Sequence, residues 1–268
     1  MRFGVSMPNV GDSDGDPRRL VELAVLAEES GWDGFFLWDH LQINAAKRPP
    51  VHDPWVLLGA IAARTSRVTL GPMVTPVPRR RPWKLAKEVI TLDHLSQGRA
   101  VLGVGLGVPV ADEFTAFGEP SERKVHAAML DEALPVLDAL LRGEPVEHDG
   151  EHYHVHAHLA PGPVQRPRPP IWVAAMLPPR GGVRRARHWD GIFALHRHTG
   201  ALTPEQVREI VAEISPGPGY DVVIALDADT DVAAVDRAGV TWLIDGPRRE
   251  GESFGEVRRR IAAGPPAA

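Results

Sequence analysis

The sequence predicts a (β/α)8 barrel, and three observations carry the prediction. Its 268 residues suit one α/β barrel, a fold that commonly runs to about 250 residues. Short apolar runs alternate with amphipathic stretches along the chain, as repeated βαβ units require. Most of those runs are continuously apolar, the pattern of strands covered on both faces.

The eight predicted strands are Phe3 to Met7, Gly34 to Trp38, Val68 to Pro72, Ala100 to Gly105, Ile171 to Ala175, Gly191 to Leu195, Asp221 to Leu226 and Trp242 to Asp245. After the first, Pro17 to Ser30 places Leu20, Leu23, Ala24 and Ala27 on one stripe, with Pro17 near its start and Gly31 past its end. Asp53-Pro54 opens a helix over Trp55 to Thr65, and Pro82 opens one over Trp83 to Leu95 with Gly98 beyond it. Glu122 to Leu141 is the longest helix. Shorter ones follow at about Gly182 to Trp189, Thr203 to Ile214, Thr230 to Ala238 and Ser253 to Ala262; Thr203 with Gln206 forms a capping box. Residues 143–170 are rich in Pro, Gly and His and read as an excursion containing a hairpin, inserted between the fourth and fifth strands.

Composition removes several kinds of chemistry. The chain has no cysteine, so disulfides, thiolate nucleophiles and iron–sulfur clusters are excluded. A formal net charge of −5 opposes binding to a phosphate backbone, so no nucleic-acid partner is expected. No apolar run reaches the roughly 18 residues of a membrane span. Met1-Arg2 passes directly into Phe3 to Met7 without the apolar leader of a secreted precursor, and a cytoplasmic location is expected.

In such a barrel the reactive groups sit where strands end. Trp38-Asp39-His40 turns abruptly from apolar to acid and imidazole, which suits acid–base or hydrogen-bonding work. The competing reading has Asp39 capping a turn and His40 packed beneath a loop. Gly71 to Pro78 crowds backbone-restricting residues after the third strand. Gly103, Gly105 and Gly107 only partly match a dinucleotide fingerprint; they either let a flat ligand lie against bare backbone or form a tight barrel corner. Gly181-Gly182 ahead of a helix, with Arg180 beside them, offers an anion site, or else a loop with solvated arginines. Arg79-Arg80-Arg81 reads as surface charge or as a contact to an anionic ligand group. His196 and His198 follow the sixth strand and are candidates to shape a substrate pocket. The histidines at 148, 152, 154, 156 and 158 read as the polar face of an exposed hairpin rather than a metal site.

Taken together, these segments resemble the luciferase-like monooxygenase family. The likeness is strongest in ARTSRVTLGPMVTPVPRRRPWKLAKEVITLDHLSQGRAVLGVGLG and returns in GEHYHV, PVQRPRPPIWVAAM and HWDGIF. The resemblance implies one barrel domain over residues 1–268, using reduced FMN or, alternatively, the deazaflavin F420, and acting as an oxidoreductase on a small organic substrate. It implies a non-prolyl cis peptide at Met73-Val74 against the cofactor ring. It also implies cofactor contacts at Asp39, Thr75, Gly105, Leu106, Gly107, Met176, Leu177, Arg180, Gly181 and Gly182, and a catalytic role for His40. Trp38, Glu113, His196 and His198 are expected around the substrate. A homodimer and a flavin or F420 reductase partner are expected as well. Some sugar-phosphate dehydrogenases of the family carry a glutamate directly after the last glycine, where this chain has Val108. A cofactor carrier without turnover, or a cofactor-free barrel acting on a phosphorylated metabolite, are the alternatives.

Overall fold

The computed structural model describes residues 1–268 except 11–14, 45, 179, 198–199, 248–251 and 267–268. Strand β1 (Arg2–Met7) is buried from Phe3 onward. Helix α1 (Arg18–Glu29) packs the predicted stripe of Leu20, Leu23, Ala24 and Ala27 inward, and Gly31 turns the chain at φ +88°. After β2 (Gly34–Leu37) comes α2 (Pro54–Arg64), capped by Asp53, whose carboxylate accepts the Val56 N–H. The predicted third strand is β3 (Thr69–Pro72); a two-residue β4 (Thr75–Pro76), not expected as a strand, follows it, with a single 3-10 turn leading to α3 (Pro82–Ser96).

Strand β5 (Leu102–Gly105) leads to a short α4 (Val110–Glu113) that the sequence pattern did not reveal, then to α5 (Arg123–Arg142). The excursion carries the expected hairpin, β6 (Val146–Asp149) antiparallel to β7 (His154–Ala157). Strands β8 (Ile171–Leu177), β9 (Gly191–His196), β10 (Asp221–Ala225) and β11 (Trp242–Asp245) complete the barrel. They are followed in turn by α6 (Gly181–Ala186), α7 (Pro204–Ile214), α8 (Val232–Arg237) and α9 (Phe254–Ala262). Both bonds of the Thr203–Gln206 capping box form.

The barrel sheet runs β3-β2-β1-β11-β10-β9-β8-β5-β4. Leu70 of β3 also bridges Ala100 in parallel, which brings the two ends of the sheet together. The break between β3 and β4 falls at a cis Met73–Val74 peptide, as expected. Glycine makes this junction possible: a Cβ at Gly71 would lie 1.9 Å from the Val101 carbonyl oxygen, and one at Gly103 would lie 2.3 Å from that of Pro72. For Gly71 and Gly103 the tight-corner reading therefore holds.

Inside the barrel, Phe36, Trp172 and Trp242 form an aromatic plug with Met73, Val101, Phe193, Val223 and Ile244; the two indoles lie 5.5 Å apart. Beneath it Asp221 accepts from Arg2 at 2.5 Å, Thr241 Oγ1 at 2.9 Å and Trp172 Nε1 at 3.2 Å. Burial pushes its carboxyl group above the usual range. This end is closed.

The long LDHLSQGR segment stitches the outer layer. Asp93 accepts the backbone N–H groups of Val164 (2.7 Å) and Gln165 (2.9 Å), pinning the excursion. Arg99 donates to the carbonyls of Ala62 and Thr65 at the end of α2, satisfying groups a helix terminus leaves open, and to that of Val68 just before β3.

Candidate active site

Parallel strands gather their C-terminal ends at one mouth, and a cavity of about 630 Å³ opens there. Its most buried charged residue is Asp39, two residues past β2 and only 3% exposed. Thr75 Oγ1 donates to Asp39 Oδ2. Arg79 Nη2 donates to Oδ1 at 2.8 Å, and Arg80 Nη2 to Oδ2 at 2.7 Å and Oδ1 at 2.9 Å. A second carboxylate, Glu113, is fully buried. It pairs with Arg79 and accepts from the Leu41 N–H at 3.2 Å. Two carboxylates thus meet two guanidinium groups, which removes most of the cost of burying each charge.

Glu113 Oε1 also lies 2.8 Å from His40 Nδ1. A carboxylate held by an arginine accepts, so His40 donates through Nδ1 and its Nε2 is left as an acceptor. Burial, reinforced by the neighbouring Arg79 charge, holds the His40 pKa below the ordinary histidine value. His40 lines the cavity, and its burial favours the neutral imidazole.

The expected site residues fall into distinct groups. Trp38, Asp39, His40, Met73 and Val74 line one side of the cavity. Gly105, Leu106 and Gly107 line the next, followed by Met176, Gly181 and Gly182. Gly182 serves packing too, since a Cβ there would lie 2.7 Å from Ala175 Cα. Thr75 is buried and its hydroxyl donates to Asp39. Leu177 is buried one residue beyond the lining Met176.

Four expectations need correction or relocation. Arg180 does not line the cavity; its guanidinium is taken by Glu209 (3.0 Å) and Glu213 (3.1 Å) of α7. The cavity's arginines are instead Arg123, Arg185 and Arg197, and Arg185 is already paired with Asp131 at 2.5 Å. Glu113 stands behind the wall rather than on it. His196 pairs its backbone with Gly200 and is not a lining residue, while His198 lies outside the described residues. Arg79 and Arg80, read as surface charge or ligand contacts, are instead the buried partners of Asp39. Their pairing joins loops from different strands, so no local sequence signal announces it.

On the hairpin, His156 contacts Glu147 (2.5 Å) and Asp149 (3.1 Å), and His154 contacts Asp149 (3.2 Å). Carboxylates from the facing strand, unnoticed in the sequence, account for this polar face.

A profile of the luciferase-like monooxygenase family matches residues 1–261, and the chain belongs to that family. An uncharacterized protein of Mycobacterium tuberculosis is 32% identical, the match covering 90% of this chain and 91% of the relative. An F420-dependent glucose-6-phosphate dehydrogenase of Nakamurella multipartita is 41% identical over 51% of this chain and 40% of its own length. This chain thus spans less than half the length of such a relative. Among solved structures, the coenzyme F420-dependent tetrahydromethanopterin reductase of Methanopyrus kandleri superposes with a TM-score of 0.73 at 17% identity, covering 98% of this chain and 96% of that one. That likeness concerns the fold.

Proposed function

We propose that the protein binds F420 at the barrel mouth and transfers hydride between it and a small uncharged alcohol or carbonyl compound, with His40 Nε2 exchanging the proton. The observation that carries this reading is His40 itself, fixed through Nδ1 by Glu113, lining the cavity and shifted toward its neutral form by burial. When bound, the deazaflavin supplies the hydride acceptor or donor.

The residues present fit such a group. Met73, Val74 and Leu106 give the cavity apolar surface for a flat ring, within the size range of ligand pockets. Gly181 is open, since a Cβ there would meet nothing within 4 Å. Arg123 and Arg197 supply cations toward an anionic tail. The resemblance put reduced FMN first; the F420-dependent names of relatives at 41% and 34% identity favour F420. Val108, 45% exposed and lining the cavity, puts an apolar side chain where a carboxylate could have met a sugar, which favours an uncharged substrate. A second redox enzyme must then recycle the cofactor, the role of the expected reductase partner.

The test is parallel fluorescence titration with F420 and FMN, followed by F420 turnover with short secondary alcohols and with glucose 6-phosphate. Saturable F420 binding and alcohol-dependent turnover are expected. Binding without turnover of any substrate would favour the carrier, and failure of intact protein to bind either cofactor would overturn the reading.

A further inference from the structure

We infer that Asn9 is a positioning residue for His40, an assignment that rests on the reading of His40 as the proton-exchanging group. Asn9 follows β1 and is fully buried. Its Nδ2 donates to the His40 carbonyl at 2.8 Å and to the His52 carbonyl at 2.7 Å, while its Oδ1 accepts the His40 N–H at 3.2 Å. The Asn9 carbonyl in turn accepts the His52 N–H at 2.8 Å, and Val10 bridges Val51 next to it. One side chain thus ties together the loops after β1 and β2 and the segment leading into α2.

Few side chains can do this. Two N–H donors and a carbonyl acceptor on one carbon are the property of an amide. Asp offers no donor to the two carbonyls, and Ala offers nothing. With the Asn9 amide gripping both backbone polar groups of His40 and Glu113 gripping its ring, the residue is held at three points. Backbone and Nδ1 together fix where Nε2 sits in the cavity, and misplacement of a catalytic group by about 1 Å can cost about 100-fold in rate. Asn9 touches neither the cavity nor any reacting atom, so it acts through His40.

A purely loop-filling role predicts lower stability with an unchanged His40 ring, and imidazole ¹⁵N NMR of the ligand-free protein separates the two. In the unaltered protein His40 is expected as one neutral tautomer with the proton on Nδ1. Asn9→Ala should populate both tautomers. Asn9→Asp, which sets a carboxylate beside the His40 backbone, should shift the His40 titration upward. Folded Asn9→Ala with an unchanged His40 tautomer and titration would overturn the assignment. Should the variants fail to fold, hydrogen exchange of the His40 amide in the unaltered protein decides: slow exchange is expected, and exchange at the free-peptide rate overturns it. No step of this experiment needs cofactor. A failed F420 titration would therefore remove the proposed function, while the coupling of Asn9 to the His40 ring would still stand or fall on the NMR result.

Discussion

The closed end of the barrel sets one carboxylate, Asp221, against Arg2, whose side chain is 51% exposed, and covers the pair with two indoles. The open end sets Asp39 and Glu113 against Arg79 and Arg80, with side chains only 6% and 16% exposed, beside a cavity. Both ends bury acid–base pairs, and the difference lies in what remains unsatisfied. At the floor every Asp221 contact ends on the barrel's own atoms. At the mouth Asp39 and Glu113 meet Arg79 and Arg80, Arg80 reaches out to Glu88, and on the cavity side the contacts lead to His40, whose Nε2 is the proposed proton-exchanging atom. A carboxylate–arginine pair says little about function until the group at the end of the chain is known.

Substitutions at the two ends should separate these roles. The largest effect is expected for Asp39→Ala, which leaves Arg79 with Glu113 alone and Arg80 with Glu88 alone. Breaking a buried pair costs about 3–5 kcal/mol, and chemical denaturation should show a loss of that order together with loss of F420 binding. Glu113→Gln should come next. It deprives His40 of its orienting carboxylate and should lower turnover about 100-fold, with F420 affinity changed little in a titration. Asp221→Asn keeps an acceptor for Trp172 and Thr241, so a loss of about 1–2 kcal/mol is expected, with turnover unchanged once folded. Equal loss of turnover at the floor and the mouth would erase the distinction.

Protonation gives a finer contrast. Burial and Arg79 lower the pKa of His40, and alcohol oxidation needs the neutral imidazole as base. The rate should therefore rise with pH through a limb lying below about 6.5, the ordinary histidine value, and be flat above it. A kcat/KM profile whose limb lies above that value would place His40 in a different protonation state.

How much of this was legible in the sequence follows from the range of the interactions. Strands and helices announce themselves through local periodicity and caps, so the Asp53 cap, the Thr203–Gln206 box and eight of the nine strands of the barrel sheet were visible, the two-residue β4 being too short to show a pattern. Strand ends also pointed to Asp39 and His40. What stayed hidden joins loops far apart in the chain: Arg79 and Arg80 to Asp39, Glu113 to His40, and Asn9 to His40 and His52. Arg180 misled for the complementary reason, because Glu209 and Glu213 lie a full βα unit away. The most family-specific segment, around Asp93 and Arg99, turned out to hold the outer layer together rather than to face the cavity.

A crystal structure of the protein with F420 would show whether the mouth beside His40 is the redox site. The deazaflavin ring is expected against Met73, Val74 and Gly105 to Gly107, with His40 Nε2 toward it and the anionic tail running past Gly181 toward Arg123 and Arg197. A ring bound away from the mouth, or a tail seated on Arg180, would contradict that placement.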